Sequence, residues 1–441
     1  MSDLEKIYQD KITTAAEAVK CVRSGDRVYV GTASSFAYEL MDALWERRHE
    51  LEDVTILCSM SLKPSKMFGT DHDAQNPFSI ETFFLGTNER IAHRKHGMPM
   101  NFTSFHLSQV DIWCRDIARP DVCFLEVSTP DENGYVSFGP SGGCMYAYLI
   151  EAAKTVVLEC NAQVPYILGC ETSRMHISQA DAVILTDSEV SPLPNEDLDD
   201  VSRKISDWVL AEVPDGATIQ LGLGKVSTAV GYGLMERNDL GIHSELFSDP
   251  MMRLMENGNV TNRAKGFMEG KTVFGFSLGT AELYRYMDRN PLLHNCTFPF
   301  INNPVNIAKN NRMISINTAM AVDLFGQVSA DSIGWTQQSA VGGQLDFVKG
   351  AQMSPGGKSI IALASTMEKN GKLQSKICLN FPVGTAVTTP RSEVQYVATE
   401  YGCVNLKVLN MADRVRAMIS LAHPDFRDQL TEEAKMYGLI R

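Results

Sequence analysis

Ten cysteines are scattered along the 441 residues, yet no two of them stand in a C-x-x-C pair. That absence removes zinc ribbons and thioredoxin-like loops, which need closely spaced thiols. No apolar run approaches the roughly 20 residues that a membrane-spanning helix requires. The start, Met1-Ser-Asp-Leu-Glu-Lys-Ile-Tyr8, is charged and lacks the apolar core of a signal peptide, so a cytoplasmic protein with free thiols is expected. Basic excess is missing as well: 40 Lys and Arg face 53 Asp and Glu, a net charge of −13. Such a chain repels nucleic acid and anionic membranes, so neither is expected as a partner, and any anionic ligand must be met by local donors. No H-E-x-x-H pair occurs and no serine elbow is assigned, so neither a zinc hydrolase nor a serine esterase is expected. His93-Arg-Lys-His96 puts two cations between its histidines and reads as a solvated basic patch; no metal site is expected.

What is present is ordinary globular material, 44% hydrophobic and 21% charged, long enough for two domains. Arg27-Val-Tyr-Val-Gly31, a helical run Tyr38 to Arg48 and a strand Asp53 to Cys58 spell a parallel α/β pattern. The pattern recurs. Ser24-Gly-Asp-Arg-Val-Tyr-Val-Gly31 is matched by Asp215-Gly-Ala-Thr-Ile-Gln-Leu-Gly222 at an offset of 191 residues. Asp131-Glu-Asn-Gly-Tyr-Val-Ser137 is matched by Asp323-Leu-Phe-Gly-Gln-Val-Ser329 at 192, and Gly142-Gly143 by Gly342-Gly343 at 200. Three features in order at a nearly constant offset indicate an internal duplication. The expected fold is α/β, with two similar domains, each a mainly parallel sheet flanked by helices. The boundaries expected are a first domain over 1–187, a Pro-rich acidic linker over 188–200 and a second domain over 201–441.

One carboxylate stands out. Glu245 ends an apolar strand, Leu240 to Leu246, that follows the glycine turn Gly222-Leu-Gly-Lys-Val226. A carboxylate at a strand end beside such a turn can act on a ligand held by the turn. It can equally cap a helix starting near Ser248, or pair with Lys225 or Arg253. By the constant offset, its counterpart in the first copy falls near Val54, where no carboxylate ends the strand. The turn itself lacks the third glycine of a dinucleotide fingerprint and does not fit the phosphate-loop pattern, so a plain tight turn stays open beside an anion cradle. In Ala340-Val-Gly-Gly-Gln-Leu-Asp-Phe347 two glycines precede a strand-like run, which lets a backbone approach a ligand and aim amides at it.

Leu221-Gly-Leu-Gly224, Asn238-Asp-Leu-Gly-Ile-His-Ser-Glu-Leu246 and Ser339-Ala-Val-Gly-Gly-Gln-Leu-Asp-Phe347 resemble the acetyl-CoA hydrolase/transferase family of CoA-transferases. So do Gly384-Thr-Ala-Val-Thr-Thr-Pro-Arg391, Ala398-Thr-Glu-Tyr-Gly402 and Ala422-His-Pro-Asp-Phe-Arg427. The resemblance covers nearly the whole chain and points within the family to the butyryl-CoA:acetate and 4-hydroxybutyrate CoA-transferase branch. It implies that Glu245 is a nucleophile forming a covalent glutamyl-CoA thioester. It implies coenzyme A contacts at Gly222, Leu223, Gly224, Lys225, Val226, Met320, Gly342, Gly343 and Lys369. Coenzyme A would be substrate and covalent intermediate, with no permanently bound cofactor. The partners implied are short-chain acyl-CoA and carboxylate substrates, with a homodimer or larger homo-oligomer as the assembly. Gly31-Thr-Ala-Ser-Ser-Phe36 and Asn101 to Gln109 depart from 4-hydroxybutyrate members, and their Phe and Leu content favours an unsubstituted chain such as butyryl or propionyl. The resemblance thus implies a CoA-transferase moving coenzyme A between a short-chain acyl-CoA, butyryl-CoA foremost, and acetate; a 4-hydroxybutyrate CoA-transferase, an acetyl-CoA or acyl-CoA hydrolase and a non-catalytic acyl-CoA-binding protein are the other readings.

Overall fold

A computed structural model describes residues 3–69, 76–195 and 197–441; Met1 and Ser2 of the N-terminal reading and Glu196 of the linker reading lie outside the described residues. The chain divides into two compact units. One comprises residues 1–194, 247–249 and 273–300, the other 195–246, 250–272 and 301–441. Both are α/β with mainly parallel sheets.

In the first unit the parallel strands lie in the spatial order Ala182–Thr186, Thr155–Asn161, Val122–Val127, Arg27–Thr32, Val54–Ser59, Phe78–Thr82, Met100–Phe102. Every residue of Val122–Val127 is buried. A strand covered on both faces needs an unbroken apolar run and not an alternating one, which is what Val-Cys-Phe-Leu supplies. Helix Tyr38–Glu46 packs Leu40, Met41, Leu44 and Trp45 onto Val28, Val30, Val54 and Ile56.

The second unit repeats the plan. Its parallel strands run Gly241–Phe247, Thr218–Leu221, Met313–Thr318, Lys358–Ala362 and Tyr396–Thr399, with Gly402–Asn405 folded back antiparallel at the edge. Helices Met411–Leu421 and Pro424–Met436 cover a core of Val322, Ile361, Val397, Met418 and Leu430. Asn410 accepts from the Asp413 amide and His423 from the Asp425 amide, so each helix begins on a side-chain cap. Pro424 at the first helical position fits its missing N–H. Helix Asp200–Leu210 likewise starts on Asp199, which accepts from the Ser202 amide at 2.8 Å. Among the described residues no helix is long and apolar enough to cross a membrane.

The duplication survives in hydrogen bonds. Asp131 accepts from the amides of Asn133 and Tyr135; Asp323 accepts from those of Phe325 and Gln327. Gly134 and Gly326 each take φ of 81° in the same place, a left-handed conformation that a side chain would oppose. One expectation shifts. Thr55 stands opposite Arg27 as Gly241 stands opposite Thr218, and the first-copy pairing shifts by one residue after Tyr29, so Glu245 corresponds to the strand end Cys58-Ser59 and not to the neighbourhood of Val54. The second copy is five residues shorter between these strands, and a constant offset misses that. Ser59 shares a hydrogen bond with Thr32 at 2.5 Å, so the first copy still has no acid there.

Candidate active site

Glu245 sits near the carboxyl end of Gly241–Phe247, in a strand where only it is not fully buried. Gly241 opens the strand because the Lys265 stem crosses it and leaves no room for a side chain. Lys265, wholly buried, donates from Nζ to the carbonyls of Ile242 and Lys271, each at 2.8 Å. The Asn302 amide nitrogen donates to Glu245 Oε2 at 2.7 Å, and the Gly343 backbone N–H also donates to the carboxylate. A methyl group on Gly343 would collide with both the Asn302 amide and the Glu245 carboxylate, so this position requires glycine by contact and not by backbone angle.

Burial pushes the Glu245 carboxyl up to about 7, and the charge of Asp346 adds to the rise, while the Asn302 and Gly343 donors oppose it. The group therefore holds a proton more readily than an ordinary carboxyl. The other pairings open to it are taken elsewhere: Lys225 lies 3.7 Å from Asp199, and Arg253 lies 2.8 Å from Glu256.

Asn302 is in turn held through its neighbour. His243 Nε2 meets the Ile301 carbonyl at 2.9 Å. Burial, then the Lys265 charge, pushes this imidazole down to about 3, so it is neutral and Nε2–H donates. The Asn302 Oδ1 atom is buried without a hydrogen-bond partner, an acceptor open to a ligand N–H or O–H. Asn302 has no motif around Glu245 to announce it. The signal was Asn302-Asn-Pro304, where Asn303 caps and Pro304 opens helix Pro304–Ala308.

The glycine-glycine segment departs from its sequence reading. Gln344-Leu-Asp-Phe347 is no strand; it opens helix Gln344–Met353, with Gly343 at the cap position. Four residues of alternation do not tell strand from helix, and burial of Phe347, Val348 and Ala351 follows the helical repeat. Gln344 fastens the start, donating to the Thr318 carbonyl at 2.9 Å and accepting from Thr389 at 2.8 Å.

Leu223, Gly224, Lys225 and Val226 line a pocket of about 440 Å³ together with Thr318, Ala319, Ala362, Leu363, Thr366 and Lys376. Gly224 takes φ of 103°, and helix Lys225–Gly233 starts directly after it. The turn is thus a helix entrance opening on a cavity, with two lysines at the wall. Gly222, Met320, Gly342, Gly343 and Glu245 are outside this lining. Gly222 nevertheless follows Leu221 in the strand paired with Gly241–Phe247, and that register carried forward sets Gly222 level with Glu245. Both features occupy the carboxyl edge of one parallel sheet, where ligands of open α/β sheets bind. Lys369 is exposed at a hairpin tip, Thr366–Lys369 with Lys372–Ser375, whose first residue alone reaches the pocket.

A serine spelling overlooked in the sequence falls out of the chemistry. Gly139-Pro-Ser141-Gly-Gly143 does fit G-x-S-x-G, but Ser141 is fully buried, shares a 2.7 Å hydrogen bond with Ser34 and donates to the Ser277 carbonyl. None of these partners is a histidine, so the serine is structural.

Comparison with known proteins gives the family and the fold. Residues 1–194 match the acetyl-CoA hydrolase/transferase N-terminal domain, and residues 279–434 match the C-terminal domain of the same family. A 4-hydroxybutyrate coenzyme A transferase from Clostridium kluyveri is 37% identical over 432 residues, covering 98% of this chain and 99% of that protein. A butyryl-CoA:acetate CoA-transferase from Anaerostipes caccae is 35% identical over 440 residues, with 98% of each covered. The crystal structure of RipA from Yersinia pestis superposes with a TM-score of 0.91 at 32% identity, covering 99% of this chain and all of that one.

Proposed function

Since the chain belongs to the acetyl-CoA hydrolase/transferase family, we propose that it is a CoA-transferase moving coenzyme A between a short-chain acyl-CoA, butyryl-CoA foremost, and acetate. The observation that carries the reading is Glu245: a carboxylate at a sheet's carboxyl edge, desolvated, and held at one oxygen by a buried amide.

In this reading the other Glu245 oxygen attacks the thioester carbonyl. The C–S bond breaks, giving a mixed anhydride and CoA thiolate. The thiolate then attacks the glutamyl carbonyl, the bond from the glutamyl carbon to the bridging oxygen breaks, and the acid departs with that oxygen, leaving an enzyme glutamyl-CoA thioester. Acetate reverses both steps. A carboxylate suits the exchange because its acyl forms lie close in energy to those being traded, whereas a serine ester would be a trap. The second attack turns the Glu245 carboxyl into an oxyanion, and donors already on that carboxyl, Asn302 and the Gly343 amide, stabilise it without reorganising. The Gly222 to Val226 turn, with Met320 and Gly342-Gly343, would hold coenzyme A, and the lysines at the pocket wall supply the local positive charge that the whole chain lacks. Lys369, on the hairpin that leaves this pocket, would meet the outer phosphorylated end.

The test is a trapped intermediate. After incubation with butyryl-CoA and borohydride reduction, intact mass should reveal a modified Glu245, abolished by prior acetate and absent from Glu245→Gln. Binding of butyryl-CoA with no adduct under any condition overturns the covalent mechanism. Parallel runs with 4-hydroxybutyryl-CoA, the thioester of the acid in the name of the Clostridium relative, rank the acyl chains.

A further inference from the structure

We propose that Cys170 and Cys296 form a reversible thiol–disulfide site oxidised by peroxides. The two are far apart in sequence, and the fold brings them together within the first unit. Gly169 pairs with Asn295 in a parallel bridge, the Asn295 amide donating to the Leu168 carbonyl at 3.0 Å and the Cys170 amide to the Asn295 carbonyl at 2.9 Å. Cys170 and Cys296 each follow a bridged residue, so they are neighbours across the pair. Paired strands run about 4.8 Å apart. Disulfide-linked Cα atoms sit roughly 4.4–6.8 Å apart, so the sulfurs can join by side-chain rotation with little backbone movement. Cys296 is already within hydrogen-bonding reach of the Cys170 sulfur.

The surroundings assign separate roles. Cys170 is partly exposed, between exposed Gly169 and Glu171, whereas Cys296 is buried behind it. Thr172 Oγ1 lies 2.9 Å and Ser173 Oγ 3.4 Å from the Cys170 sulfur. Hydrogen bonding with Cys296 first, then with Ser173 and Thr172, together with the charge of His294, outweighs burial and holds the Cys170 thiol down at about 5. The other partly exposed cysteines go the opposite way: burial pushes Cys21 up to about 11 and Cys378 and Cys403 up to about 12. Cys170 is thus the attacking sulfur and Cys296 the resolving one. The Cys170 thiolate attacks a peroxide oxygen, the O–O bond breaks, hydroxide leaves, and a sulfenic acid forms. The Cys296 sulfur then attacks the Cys170 sulfur; the S–O bond breaks and hydroxide departs with the Cys296 proton as water. Two thiols and one hydrogen peroxide give one disulfide and two waters, and a dithiol reductant reverses the change.

The experiment treats the reduced full-length chain with equimolar hydrogen peroxide near about pH 6.5, then blocks remaining thiols and maps the peptides. A single Cys170–Cys296 linkage, lost on reduction, is expected. Iodoacetamide should label Cys170 in the untreated chain at least about tenfold faster than Cys21, Cys378 or Cys403 at that pH. Cys296→Ser should accumulate a dimedone-reactive Cys170, and Cys170→Ser should protect Cys296. Equal labelling of the four cysteines, or oxidation without that linkage, overturns the proposal; the wild-type map decides even where a variant fails to fold.

Discussion

At the scale of one residue, the amide of Asn302 does two things to Glu245: it fixes one oxygen and favours the charged form. A nucleophile must be ionised, so kcat/KM should rise with pH along a limb centred near 7, the position to which burial pushes this carboxyl. Removing the donor strengthens the neutral form. Asn302→Ala should therefore move that limb to higher pH and lower kcat/KM by roughly 100-fold or more at neutral pH. A profile that keeps its midpoint while activity falls would assign Asn302 to folding alone. Glu245 was legible in the sequence because Gly-Ile-His-Ser-Glu is contiguous. Asn302, 57 residues further on, was not, because nothing local ties an Asn before a helix cap to a distant strand end.

At the scale of elements, strands Arg27–Thr32, Val54–Ser59 and Gly241–Phe247 begin and end within a residue of their sequence readings, and the turn at Gly224 was legible because a glycine acts within a few residues of its position. Helix Gln344–Met353 was misread at its start, where a buried Gly-Gly precedes four alternating residues. Its first turn carries Gly343 against Glu245, so the helix positions the carboxylate and not merely an amide near a ligand. Gly343→Ala should drive Asn302 and Glu245 apart. The expected result is a fall of at least about 100-fold in turnover, from a displacement near 1 Å. The melting temperature of the same variant checks that the fold persists; unchanged turnover would mean the helix start yields easily and does not set the site.

At the scale of the molecule, the duplication was legible as a repeat with drift, while what the copies bury differently was not. In the first unit Glu126 and Glu159 face each other across adjacent strands, both buried, with Asn161 donating to Glu126 at 2.9 Å. Burial pushes Glu126 up to about 7, and burial with the Glu126 charge drives Glu159 well up. Raised carboxyl pKa values give stability that is whole below the ordinary carboxylate range and is lost as pH climbs through the raised values. Glu126→Gln keeps the acceptor for Asn161 and removes one charge. It should stabilise the protein by on the order of 1–3 kcal/mol near pH 8.5 and by little near pH 5. Urea titrations at both values check this; an equal effect at both would mean that packing, not ionisation, is being altered.

The twin aspartate turns carry a consequence of another kind. Each is closed by bonds to amides two and four residues on, so its shape is written inside a span of seven residues. Such a span is a self-contained part: 131–137 and 323–329 close in the same way although Tyr135–Ser137 pair with Arg174–His176 and Val328–Ser329 with Ala321–Val322. The partner of the second carboxylate oxygen differs: in one copy it is the Tyr166 hydroxyl, which lies outside the span, and in the other the Gln327 amide, which lies inside it. The copies have kept a common component and diverged in the fitting that fastens it.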